Sequence, residues 1–171
     1  MKRLLSWIAL ALLSVPTLTV VLRAQTAADE SAAWKKAADN KIYAQKLVNE
    51  LMAANSDLLV IGLHATQPGA SEQTMIASNL DRVGKKDDDD DKAVSVEHKM
   101  ILAPNMKEPN KFEVQVWLKD ASGKQLTAAA GFVFKYKAGD DEVKFLIKAL
   151  KLRDELAAKT PRFEDLFKPT E

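Results

Sequence analysis

Phe112–Tyr136, FEVQVWLKDASGKQLTAAAGFVFKY, decides the fold. Phe112, Val114, Val116 and Leu118 alternate with Glu113, Gln115 and Trp117, the period of a strand with one face buried. Lys119-Asp120-Ala121-Ser122-Gly123-Lys124 then supplies turn chemistry, and Leu126–Tyr136 returns as a second strand. Ala128, Ala129, Ala130 and Gly131 within it are small enough to let a helix or a ligand approach the sheet closely, while Phe132, Phe134 and Tyr136 share one face.

Working outward, Asp57–Thr66 (DLLVIGLHAT) is an apolar run bounded by turn residues and predicts a buried strand. Gln67-Pro68-Gly69-Ala70-Ser71 turns the chain, and Gln73–Asn79 predicts an antiparallel partner, because so short a link leaves no room for a crossover. Upstream, apolar residues at three- and four-residue steps from Trp34 to Met52 predict one long helix from an N-cap at Ser31 to a stop at Asn55, with Lys35, Lys36, Lys41 and Lys46 on its wet side. Between Leu80 and Val96 the pattern loosens into an irregular or helical crossover, followed by a short strand within Lys99–Pro104 and a loop to Asn110. Downstream, Asp140 is read as the cap of a helix running to about Lys159, with Val143, Ile147, Leu150 and Leu156 inward. Pro161 stops it, and Phe163, Leu166 and Phe167 fold the tail back as a short clip. The expectation is one α+β domain over residues 29–171, an antiparallel sheet with a long N-terminal and a C-terminal helix.

Residues 1–28 read as an export signal: Lys2 and Arg3 precede an apolar run from Leu4 to Leu22, and small residues follow. Cleavage after Ala24 and cleavage after Ala28 both fit the pattern. An uncleaved N-terminal anchor is the competing reading, against which Pro16 and the interspersed hydroxyls count. The expected location is therefore periplasmic or secreted, with membrane contact only if the segment is retained. Loss of Lys2, Arg3 and Arg23 would leave 22 basic against 24 acidic residues, a net charge near −2. Such a balanced surface has no long-range pull toward nucleic acid. The chain has no cysteine, so its core must hold without disulfides, and thiolate nucleophiles, zinc–thiolate sites and iron–sulfur clusters are excluded.

Ile76-Ala77-Ser78-Asn79 followed by Val83-Gly84-Lys85, together with the later Lys119–Lys124 turn, resembles a single Cache-type domain, the PAS-like extracytoplasmic sensor family. The resemblance covers nearly all of the chain past residue 28. It implies a sensor architecture in which a small molecule lies against one face of the sheet, under the crossover after the second strand. Cache domains usually sit between two membrane helices and signal to a kinase, cyclase or chemotaxis module. No such output segment is found in this sequence, so a stand-alone member is expected. The Arg, Trp and Tyr cluster of amino-acid-sensing members is not found either, and that ligand class is not carried over.

His64, Ser78, Asn79 and Arg82 are the polar residues expected in such a pocket, with Trp117 and Tyr136 as walls. Their competing roles are structural: a hydrogen-bonded core histidine, capping residues and a surface charge. The run Asp87–Asp91 invites a calcium reading, but consecutive aspartates point in different directions and Lys92 stands where an EF-hand loop needs glycine. A solvated acidic loop without metal is expected, open to enteropeptidase, whose cleavage sequence these letters match. His64 and His98 are the only histidines, and neither G-x-S-x-G nor H-E-x-x-H occurs, so no enzyme and no cofactor are expected. The alternative to a ligand-binding sensor is a non-catalytic structural or interaction module of the cell envelope, its N-terminal helix pairing with an envelope protein or a second copy.

Overall fold

A computed structural model describes residues 33–171; the expected export segment and the expected cap Ser31 lie outside the described residues. In chain order the elements are α1 (Tyr43–Ala54), β1 (Leu58–Thr66), β2 (Gln73–Ser78), α2 (Asp89–Glu97), β3 (Ile101–Pro104), β4 (Lys111–Lys119), β5 (Gln125–Lys135) and α3 (Glu142–Ala158). Short 3-10 segments occupy Ala37–Asp39 and Phe163–Phe167. The strands form one five-stranded sheet in the order β2-β1-β5-β4-β3, every neighbouring pair antiparallel. The α+β class and the β4–β5 hairpin are as the alternation predicts.

Register explains how the sheet sorts its side chains. Ile61 pairs with Phe132 and Phe132 with Val114; Leu63 pairs with Ala130 and Ala130 with Val116. These rows face α1, which contributes Ala44, Leu47, Val48 and Leu51, and α3, which contributes Phe145, Ala149, Leu152 and Leu156. Ala128 and Ala130 are fully buried on this face, and their small side chains admit the helices. Phe145 is the wedge: its ring lies 5.0 Å from Phe112 and 5.5 Å from Phe134, stacked on both. Leu166 of the tail completes the core, so the expected clip forms.

Two helices depart from expectation. The long N-terminal helix does not form, because Ile42 is extended (φ −117°, ψ 160°) and α1 begins only at Tyr43. Upstream, the backbone is committed elsewhere. Lys35 bridges Val83, Asn40 Nδ2 donates to Ile76 O at 2.8 Å, and Tyr43 N donates to Lys168 O at 2.8 Å. Cross-chain bonds to the β2–α2 link and the tail therefore replace the i-to-i−4 bonds that the apolar spacing suggested. In α3 the cap is Asp141, whose side chain accepts from Val143 N. Insertion of Phe145 into the aromatic cluster sets the helix rotation. Val143 and Ile147 consequently lie outward, 59% and 63% exposed, whereas Leu156 is buried as expected.

That rotation gives a direct test by chemical denaturation. Phe145→Ala should lower stability by about 3–5 kcal/mol through lost burial and a cavity, whereas Ile147→Ala should stay within about 0.5 kcal/mol.

Candidate functional site

Strand alternation turns His64 away from the aromatic core, toward the face of the sheet that α2 crosses. Here the ring is seated by what is missing beside it. A Cβ on Gly62 would stand 3.0 Å from His64 Nε2 and 3.2 Å from Met75 Cε, so glycine makes the space the imidazole fills. The pairing of β1 with β2 also slips between Leu63 and His64, a bulge of the kind that re-aims a side chain.

Asp87 reaches the same place from the opposite direction. After β2 the chain doubles back along that strand: Gly84 N donates to Met75 O, Met75 N to Lys85 O, and Asp87 N to Gln73 O. Gly84, at φ +96°, permits this reversal. Asp87 is thereby delivered to His64, whose Nδ1 lies 2.7 Å from Asp87 Oδ1. A carboxylate only accepts, so Nδ1 carries the proton.

The chain then enters α2 through a reciprocal capping box. Asp91 N donates to Asp88 Oδ1 at 3.1 Å, and Asp88 N donates to Asp91 Oδ2 at 3.2 Å. The other oxygen of Asp91, Oδ1, lies 3.7 Å from His64 Nδ1. The helix is fastened further along by Gln73, whose Nε2 donates to Ser95 Oγ at 2.7 Å in a buried contact. The expectation of a solvated acidic loop is thus overturned. Asp88, Asp89 and Asp90 are exposed, but Asp87 and Asp91 are buried, because residues before and within the first helical turn at this spacing both face inward onto His64.

Burial works against charge on the His64 ring, but the hydrogen bond and charge of Asp87, with the charge of Asp91, outweigh it and hold the imidazole above its usual pKa. Burial raises Asp91 as well; the charges of Asp87 and Asp88 add to this, while His64 opposes it. His64, Asp87 and Asp91 each offer one ligating atom, all within 4.8 Å of one another.

The remaining expected site residues do not converge there. Ser78 Oγ donates to Ile61 O at 2.9 Å and accepts from Leu80 N at 3.1 Å. Asn79 prolongs the β1–β2 ladder with its side chain, Oδ1 accepting from Ile61 N and Nδ2 donating to Leu59 O, both at 3.0 Å. Both are committed to backbone. Arg82 is exposed in the turn after β2. Tyr136 is on the helix-packed face, 5.4 Å from Phe112, with its hydroxyl donating to Glu142 Oε1.

Trp117 shares the face of His64, in a cross-strand row through Ala129. Because β3 pairs with β4 only from Phe112 to Gln115, the edge beyond is open to other elements. His98 and Arg153 approach the indole there, at 5.8 and 5.9 Å. Trp117 Nε1 and Gln115 Oε1, two residues apart on this strand face, are buried and make no hydrogen bond among the described residues.

Surface concavities lie elsewhere among the described residues. One of about 590 Å³ is lined by Asn40, Lys41, Gln45, Asn49 and Thr170 among others. Another of about 140 Å³ lies among Lys35, Ile42, Thr74, Ile76 and Phe167. Neither includes any of the six expected residues.

No protein-family model matches the chain, and no curated protein matches it by sequence. Among solved structures, the repressor BlcR of Agobacterium tumefaciens aligns at TM-score 0.44 and 10% identity, over 81% of this chain and 71% of that one. A putative IclR-family transcriptional regulator from Rhodococcus sp. aligns at 0.42 and 13%, over 84% and 69%. HmgR of Pseudomonas aeruginosa aligns at 0.41 and 12%, over 85% and 74%. At these values an alignment carries no information on function.

Two expectations follow from the capping geometry. Asp88→Ala should cost about 1 kcal/mol as the N-cap is lost, while Asp89→Asn, one residue on and equally exposed, should change stability by less than about 0.5 kcal/mol. Enteropeptidase should leave the Lys92–Ala93 bond intact in the folded chain and cut it in denaturant-unfolded chain, since the recognition letters are wound into α2; rapid cutting of the native protein would contradict the buried Asp91.

Proposed function

We propose that this chain is an exported, non-catalytic sensor-type domain of PAS-like, Cache-type architecture that binds a small polar molecule on the sheet face crossed by α2. The observation that carries the reading is the pair Gln115 Oε1 and Trp117 Nε1, a buried acceptor and a buried donor without partners on one strand face. Leaving such groups unpaired costs about 1–3 kcal/mol each, a cost that a bound molecule can remove. The residues opposite them in β5 are Gly131 and Ala129, so little side-chain bulk stands between a guest and the sheet. A molecule presenting a donor and an acceptor side by side, as the edge of an amide or a purine does, matches this pair better than a carboxylate or an amine, each of which offers one kind of group.

A second reading, a protein-interaction module of the cell envelope, is favoured by one observation. Val143 and Ile147, one helical turn apart, present an apolar strip on the outer side of α3.

A thermal-shift screen of the full chain with carboxylates, amines, amides and purines separates the readings. An amide or purine present at a hundred times its dissociation constant should add about 2.7 kcal/mol. The gain should vanish in Trp117→Phe, which keeps the ring and deletes the N–H, and in Gln115→Leu. If no compound stabilises the chain, or the variants respond like the parent, the sensor reading fails and the interaction reading stands.

A further inference from the structure

The cluster of His64, Asp87 and Asp91 has a charge that its own members do not balance. Two buried acids face one buried imidazole, so with both ionised even a protonated ring leaves one negative charge in excess. Beyond these three groups, Lys85 acts on His64 and Asp88 on Asp91, with opposite signs. An unmatched carboxylate away from water is among the costliest groups a fold can hold.

A second, independent observation points to what completes it. Asp87 Oδ2 is buried without a hydrogen bond among the described residues, on a side chain only 1% exposed. Its sister oxygen is already against His64, so the unpartnered atom belongs to the same enclosed spot.

The geometry suits a small cation. Ligand atoms about 2.0–2.2 Å from a tetrahedral ion stand roughly 3.4 Å apart. Asp87 Oδ1 and Asp91 Oδ1 lie 2.7 and 3.7 Å from His64 Nδ1, so the first separation must open by about 0.7 Å and the second close by about 0.3 Å to match that spacing. The ligands are also oriented from behind. Asp88 N–H holds Asp91 Oδ2, leaving Oδ1 for the ion, and Gly62 seats the imidazole.

One imidazole and two carboxylates form a borderline donor set suited to zinc or manganese. Calcium, which takes six to eight oxygens, does not fit it. A divalent ion beside a neutral imidazole cancels both carboxylate charges, and the proton shared by His64 and Asp87 leaves as the ion enters. We propose that His64 Nδ1, Asp87 and Asp91 bind one divalent ion of the zinc–manganese class, which clasps the start of α2 to β1. The site goes beyond the small-molecule reading and does not rest on it, since neither Gln115 nor Trp117 is a ligand.

The test is calorimetric titration of the chelator-stripped full chain with zinc chloride, manganese chloride and calcium chloride. Zinc should bind at one per chain and more tightly than manganese, and calcium should give no saturable heat. Asp87→Asn and Asp91→Asn should each weaken zinc by at least about tenfold, with Asp90→Asn, an exposed neighbour, unchanged. Should the variants not fold, cobalt(II) added to the unaltered chain decides by NMR. Hyperfine shifts at His64 and Ala129, with Phe145 on the other face unmoved, support the site. The proposal is overturned by the absence of one-to-one zinc uptake, by equal affinity in Asp87→Asn, or by cobalt shifts that spare His64.

Discussion

The structure depends on the two-residue period of β5, the strand at the centre of the sheet. It pairs with β1 on one side and β4 on the other, so its alternation is imposed on both neighbours. Ala128, Ala130, Phe132 and Phe134 go to one face, where α1 and α3 bury them. Ala129, Gly131 and Val133 go to the other. A slip of one residue would exchange the two sets, placing the phenylalanines beneath α2 and the small residues beneath α3. The aromatic stack of Phe112, Phe134 and Phe145 opposes that slip, because its rings fit only in this register.

Division of labour between the faces follows from this sorting. The helix-packed face is apolar and filled. The opposite face carries small and polar residues, and α2 is fastened to it by hydrogen bonds and charge: His64 with Asp87 and Asp91 near one end, Gln73 with Ser95 further along. A polar attachment tolerates water, protons and ions in a way that the aromatic packing does not. Apolar packing and polar attachment thus occupy opposite faces of the same strands.

Legibility was uneven for physical reasons. The β4–β5 hairpin, the β1–β2 pair and the tail clip could be read because each rests on a local period or a short turn. The N-terminal helix was misread because Trp34, Ala37 and Ala38 keep helical spacing while the backbone on either side of them pairs far away in sequence, Lys35 with Val83 and Tyr43 with Lys168. In α3 both Val143–Ile147 and Phe145–Ala149 offered an apolar stripe, and only the aromatic cluster chose between them. At the site, His64 was noticed as a histidine in an apolar strand, yet its partners were hidden in a run that looked solvated. The four-residue spacing of Asp87 and Asp91 was the available signal, since it places both on one side of an incipient helix. Nothing local marked Gln115 Oε1 or Trp117 Nε1 as atoms without a partner, because hydrogen-bond satisfaction is settled by atoms from other strands.

What the amino-acid order determined alone was the class of fold and the sidedness of its strands: periodicity and turn residues act over a few positions and need no knowledge of distant contacts. Which helix face turns inward, which aspartates are buried, and which polar atoms are left without partners were decided only when the strands and helices came together. Burial and pairing are properties of the space between elements, and that space does not exist until the chain has closed around it.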